Sequence, residues 1–127
     1  SVWVQVVGGL NLPVADVFSE SIDPYVRLAL DPLDKTESVR ETKHLPKTRD
    51  PVWGDAFCFH LRDRLRGVDP CHLVLSLYDH DDFSPDDLMG QVVIDLKALP
   101  AEDVQDRWYP VEEAPKCASR PSGSIRV

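Results

Sequence analysis

The sequence predicts an all-β fold, an antiparallel β-sandwich of seven or eight short strands. Three observations carry that prediction. Short runs rich in Val, Ile, Leu, Phe, Tyr and Trp recur along the 127 residues, several alternating apolar with polar positions. Eleven prolines and six glycines are scattered between those runs as turn formers. No repeat stands out at solenoid or propeller periods, and the length suits one domain with a sizeable core.

Residues 1–7 are rich in β-branched side chains and form the first expected strand, ended by Gly8 and Gly9. Leu10-Asn11-Leu12-Pro13 leads into a loop over residues 14–22 that carries Asp16 and Glu20. Asp23-Pro24-Tyr25 opens a second strand, with Tyr25, Arg27 and Ala29 on one face and Val26, Leu28 and Leu30 on the other. Asp31-Pro32-Leu33-Asp34-Lys35 is turn chemistry. Residues 38–44 interleave charge with Val39 and Thr42, an exposed strand whose Arg40 and Lys43 discourage edge-to-edge pairing. A second loop, Lys47-Thr48-Arg49-Asp50-Pro51, precedes a strand over 53–61 with Phe57, Phe59 and Leu61 alternating against Cys58 and His60. Residues 62–70 are polar and turn-forming. A strand over 73–78 then feeds an acidic loop, and one over 89–96 leaves it with Val93 and Ile94 as core candidates. Residues 96–104 are expected to include a short helical turn, 107–111 a strand, and 123–127 the last strand.

The formal net charge of −8 argues against nonspecific nucleic-acid binding, which needs basic surface to neutralise phosphate. Cys58, Cys71 and Cys117 are an odd number without metal-type spacing, and Cys58 between two phenylalanines reads as a small buried thiol. A reduced, cytoplasmic setting is the expectation. No apolar run reaches the length of a membrane span, and no signal peptide is visible. A start at Ser1 and an apolar finish at Val127 are expected of a single domain, residues 1–127, excised from a larger protein.

The loop Asp79-His80-Asp81-Asp82-Phe83-Ser84-Pro85-Asp86-Asp87 holds five carboxylates in nine residues. Two carboxylates about 4 Å apart repel by roughly 4 kcal/mol at an effective dielectric near 20. Either such acids splay into water or a cation holds them together. Carboxylate, hydroxyl and carbonyl oxygens are hard ligands suited to Ca²⁺. An EF-hand is excluded, because counting from Asp79 its glycine and bidentate-glutamate positions hold Ser84 and Gly90, and a strand precedes the loop.

At Ser21-Ile22-Asp23-Pro24-Tyr25-Val26-Arg27-Leu28 the chain resembles the C2 domain family. The likeness continues through Arg49-Asp50-Pro51-Val52-Trp53 and Leu77-Tyr78-Asp79-His80-Asp81, and closes with Asp86-Asp87-Leu88-Met89-Gly90-Gln91. The resemblance implies an eight-stranded antiparallel Greek-key β-sandwich with three loops at one end forming a Ca²⁺ cup that approaches phospholipid. It implies Asp16, Asp23, Asp79, Asp81 and Asp87 as ligands of two or more Ca²⁺ ions, with the carbonyls of Ala15 and His80 and the hydroxyl of Ser84 completing the cup. Asp82 and Asp86 fall outside that set and are expected in solvent. The chain departs from the family where seven positions separate Asp16 from Asp23, rather than six, and where a usual glycine is absent between them. The strand order expected is the circular one called type II, as in lipases and HECT-type ubiquitin ligases.

Val17, Phe18 and Phe83 lie beside these ligands and are expected to enter a membrane, each contributing about 1.5–3 kcal/mol when buried. A basic face of Arg27, Arg40 and Lys43 is interrupted by Glu37 and Glu41, and Val39 and Glu41 stand where phosphoinositide-binding relatives have lysines. Phosphatidylserine bridged by Ca²⁺ is therefore the expected lipid, with zwitterionic lipid second. The resulting expectation is a monomeric peripheral module, recruited from the cytoplasm to anionic membranes when Ca²⁺ rises. The rival is a Ca²⁺-independent protein-interaction module on the same sandwich. Intrinsic catalysis finds no nucleophile elbow, zincin helix or Gly-rich phosphate loop, and His44, His60 and His72 show no clustering.

Overall fold

The computed structural model describes residues 2–14, 22–31, 39–59, 72–98, 105–115 and 122–127. Among them are eight strands: β1 (Val2–Leu10), β2 (Pro24–Asp31), β3 (Arg40–Glu41), β4 (Val52–Phe59), β5 (His72–Asp79), β6 (Asp87–Asp95), β7 (Trp108–Pro110) and β8 (Ser124–Arg126). A short 3₁₀ turn, Leu96–Ala98, follows β6. The strands form two four-stranded antiparallel sheets, ordered β4-β1-β8-β7 and β3-β2-β5-β6. The last strand lies beside the first.

Alternation places the core between the sheets. Val4 and Val6 of β1, Val26, Leu28 and Leu30 of β2, Leu73, Leu75 and Leu77 of β5, and Ile125 of β8 all point inward and are buried. Ladder bonding from β5 fixes β2 and β6 on either side of it, so these three strands carry the acidic loop as one rigid unit.

Several boundaries depart from the sequence reading. Gly8 and Gly9 do not end β1; pairing with β4 and then β8 carries the strand to Leu10. The pairing of β1 with β4 slips between Val6↔Asp55 and Gly8↔Val52, so one extra residue sits on β4. Gly54 lies in that slip with a positive φ of 68°, a conformation glycine adopts without a Cβ penalty. The exposed strand expected over 38–44 shrinks to Arg40–Glu41, because buried Thr42 turns its hydroxyl inward to accept the Val26 amide. Val93 is not core: it is 42% exposed, and Val92 and Ile94 take the inward positions. Cys58 is half-buried rather than enclosed, opposite exposed Trp3 across the strand pair.

Candidate functional site

The acidic loop leaves one end of the second sheet, and the ladder sets its geometry. Pairing of β5 with β6 runs regularly to Leu77↔Gly90, then slips by one residue to Tyr78↔Leu88 and Asp79↔Asp87. Met89 is the extra residue. Without that bulge Asp79 would face Leu88; with it, two aspartates sit directly opposite each other at the loop's base. On the other flank Asp79 pairs with Pro24, so Asp23 arrives beside it. The Asp23 amide donates to Asp79 Oδ1 at 2.9 Å, and the His80 amide donates to the Asp23 carbonyl at 2.9 Å.

Of the five aspartates the resemblance implies, the structure brings Asp23, Asp79, Asp81 and Asp87 to one end. Asp16 lies outside the described residues, as do Ala15, Val17 and Phe18. Burial first, and then the charges of Asp23, Asp87 and Asp81, push the Asp79 carboxyl up from its ordinary value, although the Asp23 amide opposes the rise. The carboxylates of Asp23 and Asp81 are occupied by the loops themselves. Asp23 Oδ1 accepts the Lys47 amide at 2.7 Å, Asp81 Oδ1 accepts the Phe83 amide at 2.9 Å, and Asp81 Oδ2 accepts the Ser84 hydroxyl at 2.6 Å. The Ser84 and Phe83 bonds hold the Asp81 carboxyl below its usual range. Among the described residues, no three His, Cys, Asp or Glu side chains converge so as to hold a metal ion. Phe83, at the loop's tip, is 99% exposed.

Asp86 is not the solvated acid expected. Its Oδ2 accepts the Tyr25 hydroxyl at 2.5 Å and its Oδ1 accepts the Asp81 amide at 3.0 Å. The Tyr25 hydroxyl is the main reason its carboxyl lies below the ordinary range. Burial, then the same bond, pushes the Tyr25 phenol well up. Asp82 remains exposed but pairs with His80, whose Nε2 lies 2.9 Å from Asp82 Oδ1 and whose Nδ1 lies 3.5 Å from Asp86 Oδ1. The Asp82 bond raises the His80 pKa, favouring the imidazolium. His44 also clusters, contrary to expectation: its ring stacks on His80 with centroids 4.0 Å apart.

Beside the loop lies an open groove of about 390 Å³ lined by Tyr25, Glu41, Thr42, Lys43, His44, His80 and Asp86. Of the basic face expected of Arg27, Arg40 and Lys43, the two arginines have other engagements. Arg27 pairs with Glu41 at 2.9 Å and lies 4.9 Å from the Tyr78 ring centroid, and Arg40 sits over the Phe59 ring. Lys43 faces the groove alongside Glu41 and Asp86. Sequence reasoning missed Tyr25, Asp86 and His44 as partners of the loop. The aromatic residue at the start of β2 and the second acid pair were visible, but nothing local linked them.

The chain matches the C2 domain family over residues 1–111. It is 30% identical over 111 residues to Synaptotagmin-5 of Arabidopsis thaliana, covering 87% of this chain and 18% of that protein. It is 42% identical over 94 residues to Synaptotagmin-9 of Rattus norvegicus, covering 72% of this chain and again 18% of the relative. The chain thus spans less than a fifth of either protein's length. The fold is that of a C2 domain of plant Extended Synaptotagmin 1, with a TM-score of 0.78 at 24% identity over 98% of this chain and 87% of that one. Family match and relatives agree with the two-sheet architecture, and the protein belongs to the C2 domain family.

Proposed function

We propose that this domain binds phospholipid membranes in response to Ca²⁺ and recruits the protein that carries it to anionic surfaces. C2 domains are membrane-binding as a family, and the finer reading rests on one observation. Asp87 stands opposite Asp79 and Asp23 adjoins it at the base of a loop whose tip carries a fully exposed phenylalanine, and the charges of Asp23, Asp87 and Asp81 all reach the Asp79 carboxyl. The donor chemistry fits Ca²⁺: all oxygens, all hard, and one carboxyl already driven up by burial and its neighbours' charge. Asp23, Asp79, Asp81 and Asp87 would hold the ions, with Asp16, the Ala15 and His80 carbonyls and the Ser84 hydroxyl as further donors. Bound Ca²⁺ would supply positive charge and open coordination positions for lipid oxygens.

The chain's own residues account for the rest. The uncompensated acids repel lipid phosphate, and their neutralisation removes that barrier. Phe83 then enters the headgroup region, with Val17 and Phe18 of the first loop beside it. Burial of one such ring contributes about 1.5–3 kcal/mol, comparable to two or three lysines near an anionic leaflet at roughly 1 kcal/mol each. Phosphatidylserine is the lipid this favours over phosphoinositide, since Arg27 of the basic face is already paired with Glu41. The domain acts as a monomeric binding module, and any catalysis belongs to other parts of its parent protein.

A second reading has its own support. Asp81, Asp82 and Asp86 of the loop have amide, hydroxyl or His80 partners within the protein, and Trp3 stands 76% exposed on the opposite sheet. Those features suit a Ca²⁺-independent protein-interaction module. Vesicle co-sedimentation separates the two. Ca²⁺-dependent pelleting with phosphatidylserine vesicles, lost in the Asp79→Asn, Asp81→Asn double variant, supports the first reading; pelleting indifferent to chelator or to those substitutions contradicts it.

A further inference from the structure

Asp81-Asp82-Phe83-Ser84-Pro85 is exposed without a break, so this part of the acidic loop stands clear of the sandwich where another protein's cleft can reach it. Ser84 is the only serine or threonine in the chain that is followed by proline. Other hydroxyls are placed differently. Thr42 is buried and accepts the Val26 amide, Ser76 lies within β5, and Ser122 donates to the Asn11 carbonyl. Pro85 has a fixed φ and no N–H, so an enzyme cleft that offers no acceptor there takes it without loss. Any other residue at that place would bury an unpaired donor.

The Ser84 hydroxyl also ties the loop's tip to the candidate ion site. It donates to Asp81 Oδ2 at 2.6 Å, while the Phe83 amide donates to Asp81 Oδ1 at 2.9 Å, so one carboxylate organises both tip residues. A phosphoryl group on Ser84 Oγ would remove that donated proton and set about two negative charges beside Asp81 at neutral pH. Those charges would also adjoin Phe83, which is 99% exposed. The loop's base would keep its structure, because the β5–β6 pairing from Leu77↔Gly90 to Asp79↔Asp87 holds it and Leu77 and Met89 are buried beneath.

We propose that Ser84 is a phosphorylation site for a proline-directed kinase, and that the phosphoserine keeps the domain off anionic membranes. The membrane half rests on the Ca²⁺-dependent reading above. In the transfer, the terminal P–O bond of ATP breaks and an Oγ–P bond forms on Ser84. ADP leaves with the electron pair of the broken bond, and the hydroxyl proton passes to the kinase's base. The coupling runs both ways: lipid and Ca²⁺ cover Ser84, so the membrane-bound domain is the poorer substrate, and the phosphorylated domain is the poorer membrane binder.

The test uses the whole domain with Mg-ATP and purified cyclin-dependent and mitogen-activated kinases. Phosphate on Ser84 is followed by mass spectrometry in a Ca²⁺ chelator, then in Ca²⁺ with vesicles of phosphatidylcholine mixed with phosphatidylserine. The expected result is incorporation at Ser84 in chelator, several-fold slower incorporation on the vesicles, and none in Ser84→Ala or Pro85→Ala. A short Ser-Pro peptide run alongside reports any effect of Ca²⁺ or lipid on the kinase itself. The purified phosphorylated domain should keep the parent's melting temperature in chelator. In Ca²⁺ it should co-sediment with the mixed vesicles about twenty-fold more weakly, a factor of roughly five for each added charge facing an anionic leaflet. No phosphate on Ser84, or phosphate that persists in Pro85→Ala, overturns the assignment. Equal vesicle binding by the phosphorylated and parent domains overturns the membrane half. If the parent itself binds no vesicle in Ca²⁺, the reading beneath falls and takes the membrane half with it, while the mass spectra still decide the site.

Discussion

Asp79 and Asp86 sit seven residues apart and are tuned in opposite directions. Asp79 is pushed up by burial and by Asp23, Asp87 and Asp81, so the calcium-free native state holds its proton more tightly than the unfolded chain does. That carboxylate therefore costs stability above its native pKa, and the cost vanishes as pH falls and the group protonates. In chelator at neutral pH, Asp79→Asn should be at least as stable as the parent by urea unfolding, because Asn keeps the oxygen that accepts the Asp23 amide. The difference should shrink toward acid. Asp86 has the reverse sign: the Tyr25 hydroxyl lowers its native pKa, so its contribution is complete above the unfolded value of about 3.9 and is lost as pH falls through the native one. Removing that hydroxyl in Tyr25→Phe should lower stability by about 1–3 kcal/mol, while the ring remains stacked on Tyr78. An unchanged urea midpoint would show that the bond contributes nothing.

At the scale of strands, the β5–β6 bulge decides which acids meet. Gly90 borders it, and a Cβ there would collide with Val111 Cγ1 and approach the Glu112 carbonyl to 3.0 Å. Paired amides between Gln91 and Glu112 hold β6 against that segment, leaving little room to yield. Gly90→Ala should cost about 1–3 kcal/mol as overpacking, and should weaken Ca²⁺ binding by displacing Asp87; calorimetry and urea unfolding on the one variant read both. The sequence revealed β2 and β5 well, because Val26, Leu28 and Leu30 and then Leu73, Leu75 and Leu77 mark every second position as buried, although Ala29 and Val74 leave the other face only partly polar. It could not reveal the bulge, since an extra residue in a ladder leaves no mark on either strand alone. Val92-Val93-Ile94 is a contiguous apolar run in which parity is open, and only pairing with β5 decides that Val93 faces out. Asp86 was missed for a related reason: Tyr25 stands 61 residues away in the chain, and His44 is likewise far from its stacking partner His80. The aspartates of the third loop were legible because motif and spacing are local to it.

For the whole molecule, a net charge of −8 includes an acid cluster gathered at one end of a two-sheet body whose core is independent of it. On the proposed reading such a body need hardly move when an ion binds, and the change would lie in the charge of its tip. The most direct measurement is the melting temperature in millimolar Ca²⁺ against chelator. At a hundred times the dissociation constant, binding to the native state alone stabilises by about 2.7 kcal/mol. For a domain of this size that is a rise of very roughly 5–10 °C, and it should disappear in Asp79→Asn. A melting temperature the same in Ca²⁺ and chelator would contradict the account at its centre.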